Sequence, residues 1–255
     1  GWKGKVDLLV ISDNACEIID FKTGSADDAH KFQVRVYAVL WRLDDELNPS
    51  GRVVDRLVLA YESGIFPWCS EGSPLLWWSP SPRFVLFPDE LHVGRTLRKL
   101  RRRSPYRLSL DEAFPQVIRN CAKVARPGQH GTWIRRDIQA AYIRLHELRV
   151  AHSVEAWEGD TLVGGLYGVS VGSVFCGESM FARRPDASKL AFVELVEQLS
   201  AWGYTMVDCQ VFTEHLDRFG ARDIELDEFL ERLAEGVERP GREGRWRFEP
   251  PFGGG

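Results

Sequence analysis

Residues 152–179 read HSVEAWEGDTLVGGLYGVSVGSVFCGES, and this stretch decides the fold. Its β-branched and aromatic residues fall in three runs separated by turn residues, which predicts three consecutive strands, the first two joined through a Gly-Asp turn. Downstream, ASKLAFVELVEQLSAWG (187–203) has the spacing of an amphipathic helix, TMVDCQV (205–211) reads as a buried strand, and DEFLERLAEG (227–236) as a closing helix. Upstream, Ser109 and Glu112 have the spacing of a capping box. Phe114, Val117, Ile118 and Cys121 continue that helix at helical spacing, and a second helix is predicted from Arg136 to Leu148. The result is a mixed α+β chain without internal repeats.

Further toward the amino end, VDLLVI and CEIIDF flank SDNA and predict a β-hairpin. A helix is predicted from about Asp28 to Leu43, and RLVLAY (56–61) reads as a further strand. GIFPWCSEGSPLLWWSPSP (64–82) is dense in aromatics, and its four prolines exclude a long regular element. Such a segment is either a pocket wall or a loop packed on the core. The final PFGGG is expected to be a flexible tail.

Composition bounds the functional classes. The chain has 255 residues, 44% of them hydrophobic and 27% charged, as expected of a globular protein with a substantial core. No apolar run reaches the ~18 residues of a membrane span, and the opening lacks a secretory apolar core, so a cytoplasmic protein without a membrane partner is expected. The five dispersed cysteines form no CxxC, and His146 begins HELRV rather than HExxH, so neither a zinc site nor another cofactor is expected. The net charge of −4 hides a basic stretch, RTLRKLRRRSPYR (95–107), in which seven of thirteen residues are Lys or Arg. Arg95, Arg98, Lys99, Arg101, Arg102, Arg103 and Arg107 are therefore candidates for a local phosphate contact or, alternatively, a solvated helix face.

Ten segments, AYESGIFPW, LLWWSPSPR, RRRSPYRL, GTWI, AYIRLHEL, AHSVEAW, LVGGLYGV, FCGESMF, ASKLAF and VDCQV, lie in order between about Tyr61 and Val211. In that order they resemble the leucyl/phenylalanyl-tRNA–protein transferases. The resemblance implies a GCN5-related acyltransferase-like carboxy-terminal domain (about 111–250), preceded by a remnant of a smaller amino-terminal domain (about 61–110), with the tail at 251–255. It also implies transfer of Leu or Phe, with Met as a further candidate, from aminoacyl-tRNA to proteins that begin with Arg or Lys, which marks them for N-degron proteolysis.

Peptide-bond formation from an aminoacyl ester requires a neutral amine against the carbonyl, a proton route and oxyanion stabilisation. Asp208 and Gln210, two apart on a predicted strand, face the same side. They are candidates to polarise and to hydrogen-bond the amine, against the alternative of a polar strand end in solvent. Glu178, after an apolar strand, is a costly carboxylate to bury without a partner. By resemblance it positions the acceptor's basic side chain or the reacting amine. Trp133 and Trp68 match positions that stack the 3′ adenosine, Trp133 standing between a glycine loop and the basic pair Arg135 and Arg136, while Tyr61, Tyr142, Phe175 and Met180 are candidate site-lining residues. The basic stretch then contacts the acceptor stem. Arg149 stands where the family usually has glycine, which predicts a strained helix end.

The first sixty residues depart from that pattern. GWKGKVDLLVISDNACEIIDFKTG followed by HKFQVRVYAVL resembles the later motifs of RecB-like PD-(D/E)XK nucleases. In that resemblance Asp7 and Asp20 hold a divalent metal, Lys22 orients water, and Gln33 and Tyr37 share a helix face. The upstream acidic or histidine ligand of those nucleases is not in the chain, so this segment (1–60) is expected to be a truncated, small mixed α/β remnant that binds metal weakly or not at all, with DNA an unexpected partner. The competing functional readings are a metal-dependent DNA nuclease and an inactive fusion of two incomplete domains.

Overall fold

A computed structural model describes residues 8–12, 15–19, 53–68, 76–103, 105–124 and 132–249. Strands β1 (Leu8–Ser12) and β2 (Ala15–Ile19) pair antiparallel, with Ser12 opposite Ala15, as the hairpin reading requires. The predicted helix at 28–43 and the flexible tail lie outside the described residues.

The segment read as a strand at RLVLAY is instead helical: α1 spans Val53–Glu62. Among the described residues Leu57, Ala60 and Tyr61, at i, i+3 and i+4, are buried, and a helix is the conformation that puts them on one side. The helix stops at Gly64, whose φ of +77° suits glycine. Short strands β3 (Phe66–Pro67) and β4 (Leu76–Trp78) follow, and β4 pairs with both β1 and β3 in a four-stranded sheet.

A seven-stranded sheet organises the rest. It contains β5 (Arg83–Leu86), β6 (Arg107–Leu110), β7 (Ala151–Glu158), β8 (Thr161–Val171), β9 (Val174–Ala182), β10 (Met206–Gln210) and β11 (Arg222–Ile224). Their order is β11-β5-β10-β9-β8-β7-β6. The three strands read from residues 152–179 form its centre as a meander, with Gly159 and Asp160 at the first turn. One pair, β9–β10, is parallel; the intervening helix α5 (Ala187–Ala201) makes the crossover.

Helices cover both faces. On the first face lie α1, α3 (Phe114–Lys123), α4 (Arg136–Glu147) and α7 (Leu226–Val237, which follows the short α6 at Glu214–Asp217), enclosing a core that includes Phe114, Tyr142, Tyr167 and Phe229. On the second lies α5 over Leu166, Phe175 and Val207. Helix α5 is less amphipathic than its sequence suggests, because ten of its fifteen residues are buried between the sheet and its neighbours. Gly164 permits that approach: a Cβ there would stand 2.6 Å from the Ala187 Cβ.

Ser109 and Glu112 do not form a capping box. Ser109 belongs to β6, and α3 begins at Phe114 after Ala113. The carboxylate that serves this helix start is Glu155 of β7, which accepts from the Ala113 and Glu112 backbone N–H groups at 3.2 and 3.4 Å and from the Ser109 hydroxyl at 2.6 Å. Spacing located the helix but not its cap, because the capping acid comes from another strand.

After α7 the chain returns over the second face, a course the sequence did not announce. Trp246 is fully buried there, stacked on His152 with ring centres 3.7 Å apart. Asp111, itself in the left-handed region at φ +57°, accepts from the Trp246 and Ser153 backbone N–H groups and contacts His152 Nδ1 at 2.8 Å. Burial works against ionisation of Asp111, but the His152 contact and these backbone donors outweigh it and hold the carboxyl below its usual range.

Candidate active site

The parallel pairing of β9 and β10 ends at Cys176 opposite Asp208. Just beyond that point both strands are irregular. On β9, Gly168 pairs with Gly177 and Tyr167 with Ser179, which leaves Glu178 as an extra, bulged residue. On β10 the register shifts between Asp208 and Gln210, and Gln210 has φ +66°. Bulges re-aim side chains. Here they bring together two residues on separate strands, and Gln210 Nε2 donates to Glu178 Oε1 at 2.8 Å.

Two helices complete the cluster. Tyr61 near the end of α1 and Tyr142 in the middle of α4 are both buried, and these helices pack on each other and over the central strands. The Tyr61 hydroxyl donates to Glu178 Oε1 at 2.6 Å, the Tyr142 hydroxyl lies 2.9 Å from Glu178 Oε2, and the two hydroxyls contact each other. Burial pushes the Glu178 carboxyl up to about 7, the Asp208 charge adds to the rise, and the hydrogen bonds from Tyr61, Tyr142 and Gln210 oppose it. Burial, followed by the nearby Glu178 charge, also drives both tyrosines well above their ordinary pKa, so they remain hydrogen-bond donors at neutral pH.

Asp208 lies on the same side but is engaged differently. Its Oδ1 accepts from Arg83 Nε at 2.8 Å and from the Gln210 backbone N–H at 2.9 Å, and its Oδ2 accepts from Arg83 Nη2 at 2.6 Å. Arg83 is 1% exposed, with its guanidinium 4.8 Å from the Phe66 ring centre and 4.4 Å from that of Phe229. Sequence reasoning did not single out Arg83. A basic residue opening an otherwise apolar strand, RFVL, was the available signal.

The other candidates divide. Trp133 is buried, edge-on to Tyr142 with ring centres 6.4 Å apart. Trp68 is half-buried between Phe66 and Trp78, and its carbonyl accepts from the Trp78 indole. Phe175 and Met180 pack with the second-face core, away from the carboxylate. For Met180 the cause is the bulge at Glu178, which reverses the alternation of β9 beyond it.

The basic stretch forms α2 (Arg95–Arg103), where Arg95, Arg98, Lys99, Arg102 and Arg103 are exposed. Arg101 faces inward and makes ion pairs with Glu194 and Glu197 of α5, each with closest contacts of 2.5 Å. Arg107 pairs with Glu112 at 2.9 Å and lies over Trp157. Among the described residues, no helix is long and apolar enough to cross a membrane, and no group of His, Cys, Asp or Glu is arranged to hold a metal.

Helices thus cover both faces of the central sheet, and a buried carboxyl with a raised pKa sits where its parallel pair separates. The family model for leucyl/phenylalanyl-tRNA protein transferase matches residues 85–234, and that for the amino-terminal domain of the same transferase matches residues 54–81. A leucyl/phenylalanyl-tRNA–protein transferase of Anaeromyxobacter sp. strain K is 61% identical over 194 residues, 76% of this chain and 83% of that relative. The Myxococcus xanthus protein of the same name is 56% identical, over 75% and 82% of the two chains. That of Nitratidesulfovibrio vulgaris is 46% identical over 245 residues, 96% of this chain and 98% of its own. The chain belongs to the leucyl/phenylalanyl-tRNA–protein transferase family.

The last alignment reaches across most of the first sixty residues, and nothing in these comparisons supports a nuclease fragment there. The residues of that reading, Asp7, Asp20, Lys22, Gln33 and Tyr37, lie outside the described residues.

Proposed function

We propose that this protein transfers Leu or Phe from aminoacyl-tRNA to the amino-terminal Arg or Lys of acceptor proteins, in the cytoplasm, as a step of N-degron proteolysis. The observation that carries this reading is the Glu178 cluster at the separation of β9 and β10. In the reaction the acceptor amine nitrogen bonds to the ester carbonyl carbon, the bond from that carbon to the ribose oxygen breaks, and a proton leaves the amine while one reaches the ribose oxygen. A carboxyl near pH 7 serves both needs: as carboxylate Glu178 takes the amine proton, and as acid it returns one to the leaving oxygen. Gln210 spends its amide N–H on Glu178 and directs its carbonyl oxygen to the amine.

In this reading residues 111–250 act as a GCN5-related acyltransferase-like catalytic domain, and residues 61–110 bring Tyr61, Trp68 and the exposed cations of α2 to the tRNA. Trp68 and Trp133 form the walls around the terminal adenosine, and the acceptor stem's phosphates meet α2. The test is incubation of the purified protein with labelled Leu-tRNA and an acceptor beginning with Arg. Label is expected on the acceptor, strongly reduced in Gln210→Ala. Absence of transfer by a folded sample beside a working relative would refute the proposal.

A further inference from the structure

We infer that Arg83 is a positioning residue that acts through Asp208 to hold Gln210 in the conformation that reaches Glu178. The inference rests on the transferase reading for its catalytic consequence, but its geometry stands independently.

Both oxygens of Asp208 are taken: Oδ1 by Arg83 Nε and the Gln210 backbone N–H, Oδ2 by Arg83 Nη2. Asp208 therefore has little capacity left to take a proton from a substrate amine, and its remaining influence on the site runs through the Gln210 backbone. That backbone is in the left-handed region at φ +66°, which a glutamine does not favour unaided. The Asp208 Oδ1 bond to the Gln210 N–H closes a turn around the unfavourable residue. Only in that turn does the Gln210 side chain leave the strand line toward Glu178 Oε1.

A carboxylate alone could swivel. The two parallel bonds from Arg83 fix its plane, a property of the guanidinium fork that an ammonium lacks. Arg83 is itself immobilised between the Phe66 and Phe229 rings, so the fork is anchored to the end of α1's connection and to α7 at once. Its Nη1 is buried without a hydrogen-bond partner among the described residues. Such a group weakens the case for Arg83 as a stability device, because a buried ion pair with an unsatisfied donor contributes little net stability compared with apolar packing. What the pair does fix is direction.

Two measurements test the relay in full-length protein. Arg83→Lys keeps the charge and removes the fork. It is expected to lower kcat at least tenfold while leaving the KM for Leu-tRNA within twofold, and to add little to the loss already caused by Gln210→Ala. Wild-type kcat in Arg83→Lys, or a loss that multiplies with that of Gln210→Ala, overturns the inference. Amide hydrogen exchange reads the same relay without reference to activity. Arg83→Lys should accelerate exchange of the Gln210 N–H at least tenfold while the Val207 N–H, in the ladder between β10 and its neighbours, keeps its protection. Unchanged protection at Gln210 overturns the inference whether or not the protein transfers label, and wild-type inactivity with accelerated Gln210 exchange would refute the transferase reading alone. If Arg83→Lys does not fold, Asp208→Asn interrupts the relay from its other end, with the same two readouts and the same outcomes.

Discussion

Glu178 is where stability and chemistry conflict at a single residue. Its pKa rises from an ordinary 4.5 to about 7, so the folded chain binds its proton more tightly than the unfolded chain does. This stabilising contribution is fully present below about pH 4.5 and is lost as pH rises through 7, a difference of about 3 kcal/mol for a shift of this size. Glu178→Gln should therefore be more stable than the parent at pH 8, by up to about 3 kcal/mol in urea unfolding, with transfer abolished or nearly so. The parent's kcat should climb through a limb near pH 7. Tyr142→Phe removes a hydrogen bond that favours the carboxylate and should move the limb to higher pH; a limb that stays in place would show that another group titrates. Arg149 illustrates a local effect that the sequence disclosed: it has φ +65° at the end of α4, where glycine is expected. Arg149→Gly should raise stability by about 1 kcal/mol without altering kcat, measurable as a shift in the urea midpoint.

At the scale of elements, α2 shows why a charge run is not a site until its faces are known. Seven cations were equivalent in the sequence, yet Arg101 is committed to Glu194 and Glu197, and Arg107 to Glu112. Lys99→Glu combined with Arg102→Glu should weaken aminoacyl-tRNA binding and reduce the slope of log K against log salt by about 1 for each phosphate no longer neutralised. Arg101→Ala should instead lower the melting temperature while changing that slope less. An unchanged slope in the double variant would remove α2 from the tRNA interface. Periodicity located α3, α4 and α7, each of which buries a regular stripe against the sheet. Turn residues between apolar runs located the meander, whose strands are buried on both faces, and α5 was located although ten of its fifteen residues are buried. Periodicity failed at 56–61, where a short apolar run fits strand or helix and burial of Leu57, Ala60 and Tyr61 decides. It was also silent on the bulges. Glu178 and Gln210 could be singled out as residue types, but their contact depends on two register shifts that alternation does not encode. Met180 lies on the opposite face from Glu178 for the same reason, whereas Phe175 precedes the bulge and is set opposite Glu178 by plain alternation.

Across the whole molecule, the site is assembled from parts distant in sequence: α1, α4, β9 and β10 each give one side chain to the cluster, and β5 gives the Arg83 that braces it. The opposite face is closed by the segment after α7. Trp246→Ala should cost about 3–5 kcal/mol, because it empties a fully buried indole site between His152, Phe175, Trp202 and Tyr204. The loss would appear as a lower urea midpoint with kcat preserved in the folded fraction. A small effect would mean that this segment merely rests on the sheet.

Tyr61, Tyr142 and Glu178 close a ring of oxygens that holds three protons once the carboxylate takes one up, and such a ring passes hydrogen in either sense without moving a heavy atom. A proton accepted at one corner can then emerge at another, so the atom that is relieved of charge need not be the atom that first received it. The amine and the departing ribose oxygen could thus stand on different sides of the carboxyl and still be served by one turnover of the same ring. Proton inventory in mixed H2O/D2O would register this as a curved dependence, straightened in Tyr61→Phe.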